Sequence, residues 1–171
     1  IIFDFILDNV KSTTLKISYR ARLNASAGLG LAGGNKNGAT LQYSNDPYGT
    51  GTYTTDARNS ETTVYTYALK VLSYETGNES TVLEGATFDL YADVDLNNKI
   101  TSISTDASGT GQNIGLASGT YYLKQTKAPS GYSLLRDSIP VTISDATDEG
   151  DTGVVNVKVA ATKIGALPIT G

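Results

Sequence analysis

The sequence predicts an all-β protein whose better-defined part is a β-sandwich, and three observations carry that reading. Short apolar–polar alternations recur along the chain. Clusters of Gly, Asn, Asp, Ser and Pro separate them. No stretch shows the 3.6-residue period of an amphipathic helix. The 18 Gly and 11 Tyr among 171 residues agree with a turn-rich, strand-favouring chain. That length allows one ordinary domain or two small ones, and a 39% hydrophobic share is enough for a core.

The first elements are less regular than the later ones. Residues 2–7 (IFDFIL) alternate but are apolar on both sides. Residues 14–23 predict a half-buried strand, with Leu15, Ile17, Tyr19, Ala21 and Leu23 on one face and Lys16, Ser18, Arg20 and Arg22 on a solvated basic face. A Gly/Asn-rich loop over 28–38, a short strand over 39–43 and a loop over 44–51 follow. Residues 52–62 are polar and lack aliphatic side chains, which places a domain boundary near residue 61.

The second unit predicts strands at 63–73, 86–92, 98–104, 120–125, 138–144 and 153–160. Turn clusters separate them at 75–78, 93–98, 106–111, 128–132 and 145–153. The one short helical candidate is a turn near 111–117. Six or seven short strands in about 100 residues is sandwich spacing.

Composition excludes much chemistry. The chain has no His, Cys, Met or Trp. A Ser-His-Asp triad, a Cys nucleophile, a typical zinc site and a disulfide are therefore absent. A net charge of −4 argues against a generic nucleic-acid or anionic-membrane surface. The missing Met indicates a fragment or a processed chain, and no apolar run has transmembrane length or the form of a signal peptide. No metal and no cofactor is expected. Residues 28–33 (GLGLAG) match G-x-G-x-x-G, but the Gly-Asn-Lys-Asn-Gly that follows cannot open the helix a dinucleotide site needs, so a flexible loop is the better reading. Asp93, Asp95 and Asn97 alternate as calcium ligands do, yet the central Gly and the Glu at the twelfth position are missing, and a polar hairpin connection is favoured. Asp89, Glu84 and Asp137 could form a glycosidase-like pair only if the fold brought them together.

Two segments are more specific. Leu167, Pro168, Ile169, Thr170 and Gly171 form LPITG, which resembles the LPxTG sorting signal of Gram-positive surface proteins. Pro168 keeps such a tail from joining a sheet and leaves it extended for an enzyme groove. The resemblance implies recognition through Leu167 and Pro168, Thr170 as acyl donor and Gly171 as leaving group. The second segment, YYLKQTKAPSGY at 121–132, resembles the YYLxETxAPxGY stretch of CnaB-type domains, and LEGATFDLY at 83–91 resembles their LxGAxFxLY strand. With VYTY at 64–67, this resemblance covers about residues 62–171. YRARLNASA at 19–27 and LQYSNDP at 41–47 look like the end of the middle domain of sortase-assembled pilus backbone pilins.

The resemblance implies an Ig-like, CnaB-type β-sandwich over 61–163, the C-terminal part of a middle β-sandwich domain over 1–60, and a sorting tail over 164–171. It implies a non-catalytic, exported subunit of the cell surface and cell wall. Its partners would be sortase, neighbouring pilin subunits and peptidoglycan, with no nucleic acid and no membrane contact by this chain. The alternative is a monomeric wall-anchored adhesin that binds host surface ligands through similar stalk domains.

CnaB-type domains commonly carry a Lys–Asn isopeptide bond promoted by a buried carboxyl group. Here the corresponding positions hold Ser73, Gln125 and Ala161. Strand parity turns all three inward, and turns Lys70 and Asn156, the obvious substitutes, outward. The expectation is a C-terminal domain without an internal crosslink, lacking a staple worth about 3–5 kcal/mol by analogy with loop closure. In the first unit the resemblance makes Asn24 the best candidate for an isopeptide Asn, with Asn35 and Asn37 as alternatives and the usual Lys upstream; the competing reading is that Asn24 caps the strand and starts the loop.

Overall fold

The computed structural model describes residue 16 and residues 18–24, 26–44, 55–145 and 152–165. Ten strands lie among them. These are β1 (Asn35–Ser44), β2 (Thr55–Val64), β3 (Tyr67–Glu75), β4 (Asn78–Val82), β5 (Thr87–Tyr91), β6 (Lys99–Ser104), β7 (Thr110–Leu116), β8 (Gly119–Lys127), β9 (Ile139–Ile143) and β10 (Val154–Ala161). The all-β expectation holds.

β1 and β2 pair antiparallel, from Asn35 opposite Val64 to Ser44 opposite Thr55. The other strands form two four-stranded sheets. In one, β3 is central. β10 runs parallel along one edge, from Val154 opposite Ala68 to Ala161 opposite Glu75. The other edge is shared by β7, which covers Tyr67 to Leu72, and by β4 at Tyr74 and Glu75. The second sheet has the order β6-β5-β8-β9, all antiparallel.

The alternation of the strands explains why these two sheets stack. Leu69 and Val71 of β3, Val159 of β10 and Leu116 of β7 meet Phe88 and Leu90 of β5, Ile103 of β6, Leu123 of β8 and Val141 and Ile143 of β9 in one buried cluster. Leu69, Val71, Phe88, Leu90 and Leu123 are completely inaccessible. Each such side chain contributes about 1.5–3 kcal/mol through burial. The intervening residues face outward, so a one-residue slip of any strand would exchange core for solvent.

Several elements differ from the expectation. Residues 55–62, part of the polar stretch over 52–62, belong to β2; polarity does not prevent a strand whose backbone groups are paired on one edge. The boundary expected near residue 61 lies within the residue range of β2, and pairing passes from β1 and β2 to the two larger sheets after Val64. The strand expected over 14–23 is not formed at residues 16 and 18–23, which are exposed. Alternation supplies a face, but a strand exists only by pairing, and residues 16 and 18–23 join none of the described sheets. Residues 111–117, the one helical candidate, are largely strand β7, and β4 was not foreseen. Residues 2–7 lie outside the described residues.

The 28–33 loop is also different from the expectation. It is a packed turn, not a loose one. The Gly33 amide donates to the Leu29 carbonyl at 3.1 Å, and the Gly30 amide to the Thr66 carbonyl at 2.9 Å. The Thr66 hydroxyl returns a bond to the Gly28 carbonyl at 2.9 Å. A side chain at Gly28 would meet the Gly33 carbonyl oxygen at 2.0 Å, and one at Gly153 would meet the Gly30 nitrogen at 2.2 Å. These glycines serve close backbone approach between the loop and the start of the sandwich. The chain then enters β1, so no helix N-terminus exists here for a pyrophosphate.

Candidate crosslink site and tail exit

Ser73 is the fourth inward position of β3 after Tyr67, Leu69 and Val71. It is fully inaccessible, at 0%. Its backbone is fixed on both sides: its amide donates to the Gly109 carbonyl at 2.8 Å, and its carbonyl accepts from Leu83 at 2.9 Å. Gln125 is the matching inward residue of β8, opposite Phe88 of β5, and is 2% exposed. Ala161, at the end of β10, is 4% exposed. Ser73, Gln125 and Ala161 all face inward, the direction that strand parity predicts.

The chemistry at this position is that of a neutral, partly unsatisfied interior. The Gln125 Oε1 accepts from the Leu135 amide at 2.7 Å. The Gln125 Nε2 and the Ser73 hydroxyl have no hydrogen-bond partner among the described residues. An unmatched buried polar group costs about 1–3 kcal/mol. No ammonium and no carboxyl is present at any of the three positions, so these side chains cannot form a Lys–Asn amide.

The substitute pair is adjacent but unsuited. Asn156 lies directly opposite Lys70 in the parallel register of β10 and β3, on the outward face. Asn156 is exposed and Lys70 is half-buried. Lys70 lines a shallow polar groove with Asp106, Thr110 and Gln112. Asp106 is already committed to its own turn, accepting from the Ser108 hydroxyl at 2.6 Å, the Ser108 amide at 2.9 Å and the Thr110 amide at 3.2 Å. These bonds, that of the Ser108 side chain first, hold its carboxyl below the ordinary range, so it is ionised and cannot act as a proton donor to an amide.

A second polar cluster, which sequence reasoning missed, surrounds the exit of the last strand. The Glu75 carboxylate accepts from the Tyr132 hydroxyl at 2.7 Å and pairs with the Lys163 ammonium at 3.0 Å. Both bonds, Tyr132 first, hold the Glu75 carboxyl below its ordinary value and push Tyr132 and Lys163 upward. Backbone bonds reinforce the cluster. Thr76 donates to the Ala161 carbonyl at 2.9 Å, Ser133 to Thr162 at 2.8 Å and Ile164 to Gly131 at 2.9 Å. Leu167, Pro168, Ile169, Thr170 and Gly171 lie outside the described residues.

The remaining candidates resolve locally. Asn24 is exposed; its Oδ1 accepts from the Ser26 amide at 2.9 Å and its carbonyl from Ala27 at 3.0 Å, so it opens a turn. The Asp93 carboxylate accepts from the amides of Asn97, at 3.1 Å, and Asn98, and closes the β5–β6 hairpin. Those amides, Asn97 first, hold its carboxyl below the usual range. Asp89 pairs with Lys99 at 2.7 Å and accepts from the Ser102 hydroxyl at 2.7 Å. Burial raises its pKa, but Lys99 and Ser102 outweigh that, and the net direction is down. Glu84 and Asp137 are exposed. Among the described residues no three carboxylates gather as a metal site.

Residues 69–158, more than half of the chain and inclusive of Ser73 and Gln125, match the SpaA prealbumin-like fold domain. The chain belongs to this SpaA family. It is 34% identical over 155 residues to the trypsin-resistant surface T6 protein of Streptococcus pyogenes serotype M6, covering 84% of this chain and 28% of that protein. Among solved structures, the group B streptococcus pilus 2b backbone protein shares 29% identity with a TM-score of 0.53, over 65% of this chain and 48% of that one. The T6 backbone pilin of Streptococcus pyogenes, described as a modular three-domain structure, has a TM-score of 0.69 at 20% identity, over 84% of this chain and 46% of that one, and supports the fold. The chain spans less than half the length of each of these relatives. It is homologous to Gram-positive backbone pilins.

Proposed function

We propose that this SpaA-family chain is part of a shaft subunit of a Gram-positive cell-surface pilus, joined by sortase through Leu167, Pro168, Ile169, Thr170 and Gly171. The observation that carries the reading is the position of LPITG. It begins three residues beyond Ile164, whose amide donates to the Gly131 carbonyl at the end of the described sandwich. In the reaction the amide bond between Thr170 and Gly171 breaks. The Thr170 carbonyl forms a new amide with a Lys of the next subunit, or with peptidoglycan at the base, and Gly171 leaves with the freed amine. Sortase, neighbouring subunits and the cell wall are the partners of this reading, and the bacterial surface is its location.

The sandwich of β3 to β10, within the unit proposed for residues 61–163, is read as a CnaB-type domain that has lost its internal crosslink. Ser73, Gln125 and Ala161 occupy the inward positions such a bond would need, and none carries the required group. Losing all three together is physically coherent, because a lone buried Lys or Glu would be left uncompensated.

Incubating the chain, extended beyond Gly171, with sortase and an amine acceptor tests the sorting step. A new amide at Thr170 is expected, lost in Thr170→Ala. In cells, a ladder of covalent polymers supports the shaft subunit. Host-ligand binding by a species that never forms a ladder supports the wall-anchored adhesin instead.

A further inference from the structure

The chain enters the sandwich through β3 and leaves it through β10, and these two strands are neighbours in one sheet. Strands β4 to β9 all lie between them in sequence. All eight residues of β10 pair with β3 in an unbroken parallel register, from Val154 opposite Ala68 to Ala161 opposite Glu75. The ladder is closed at both ends. The Ala68 amide donates to the Gly153 carbonyl at 2.7 Å, and the Thr76 amide to the Ala161 carbonyl at 2.9 Å. Because the strands run the same way, the entry at Tyr67 and the exit at Ala161 lie at opposite ends of the pair. Tension on the chain at either side of the sandwich therefore draws β3 and β10 past each other along their length. The bonds of a ladder sheared in this way share the force, and many have to break together. A force that parts two strands from one end breaks them one at a time. Packing adds to the resistance, because Leu69 and Val71 of β3 and Val159 of β10 are locked in the core and a slide would drag them through it.

We propose that the parallel pair β3–β10 is a shear clamp that holds the sandwich shut against tension between residues 64 and 164 and, once it slips, releases the whole chain between them. That such tension acts on the chain rests on the shaft reading above, since a subunit joined covalently to both neighbours passes every pull through its own backbone. Ser73 of β3 and Ala161 of β10 carry no groups that could form a Lys–Asn amide, so hydrogen bonds and packing resist the slide in place of a covalent bond. A crosslinked pair would keep a fixed length under the same pull. This one lengthens without breaking a covalent bond, by the 100 residues from 65 to 164, about 330–360 Å of extended chain.

Single-molecule pulling in two directions tests the clamp. The chain has no Cys, so two introduced thiols are its only thiol handles. Val64→Cys with Ile164→Cys pulls on entry and exit and shears the pair. Val64→Cys with Thr152→Cys pulls on the starts of both strands, at one end of the pair, and peels it open. All three positions are exposed, and both double variants are expected to melt with the parent. Forced unfolding follows the unfolding barrier rather than the equilibrium stability, so two directions can give two forces in one protein. At one pulling speed the sheared form is expected to yield at a several-fold higher force than the peeled form, with a length gain that matches residues 65–164. Equal forces, or a higher force for the peeled form, overturn the clamp, as does a sheared form that gains no length. Joining by sortase at Thr170 is scored separately. Equal forces in a chain that is still joined there overturn the clamp alone, whereas a chain that forms no amide there overturns the shaft reading and leaves the direction dependence of the force standing.

Discussion

Two polar groups of β3, Ser73 and Glu75, sit two residues apart and live under opposite rules. Ser73 is sealed in the interior with its hydroxyl unpaired, near one end of an apolar cluster contributed by both sheets. Glu75 lies at the rim, where it holds a Tyr and a Lys in short, charge-assisted bonds. The difference shows what water does to polar design. At the rim, solvent screens the carboxylate and Lys163 completes it, so a charge is inexpensive. In the interior a charge would need a partner of comparable quality, and this sequence places neutral or small groups there instead. Cohesion of the sandwich therefore comes from packed apolar surface, while charged groups organise the exit of the chain.

The strongest way to break this contrast is to import the rim's chemistry into the interior. Ser73→Lys places an ammonium where no carboxylate waits, and a loss of about 3–5 kcal/mol is expected in urea unfolding. Near-parental stability would mean that the interior supplies a partner or admits water. Ser73→Ala goes the other way, since it removes an unpaired hydroxyl. A change within about 1 kcal/mol, neutral or stabilising, is expected. A loss well beyond that would reveal a hidden partner, such as a buried water.

At the rim the effects are local. Glu75→Gln is expected to leave the thermal midpoint almost unchanged and to speed amide exchange at Ile164 and Ser133 a few-fold. Slowed or unaltered exchange would show that the backbone bonds hold the exit by themselves. The smallest effect is the pH response. Glu75 is held below its ordinary pKa, so its contribution is fully present above the ordinary carboxylate range and is lost as pH falls through the lowered folded value. Lys163 and Tyr132 are raised, so their contribution is present below their ordinary values and lost only as strongly alkaline pH passes the folded ones. The Ile164 amide resonance should move in acid while the Val71 amide stays fixed. Movement of both together would indicate global unfolding rather than loss of the Glu75 contacts to Tyr132 and Lys163.

Parity made the interior legible from sequence. Leu69, Val71 and Ser73 alternate in one strand, and Tyr121, Leu123 and Gln125 in another, so the inward direction of Ser73 and Gln125 followed from a period of two. The rim was not legible, because Glu75, Tyr132 and Lys163 come from three separate segments, and the first two sit in clusters that read only as turns. Residues 16 and 18–23 show the opposite failure: they belong to a clean alternation but join no described sheet, because pairing is a property of neighbours. β2 and β7 were obscured by polar and Gly-rich composition, although backbone pairing asks little of the outward side chains. At residues 28–33 three of the six residues are Gly, but only the fold shows why Gly28 and Gly153 need to lack a side chain.

The central claim is that the sandwich formed by β3 to β10 is held without an internal covalent staple. The intact mass of the purified chain, followed by peptide mapping, tests it most directly, because each Lys–Asn amide releases one ammonia. The account predicts that peptides covering residues 62–165 carry their full sequence mass and separate freely after digestion. A deficit of one ammonia within that span, with two peptides remaining joined, would contradict it.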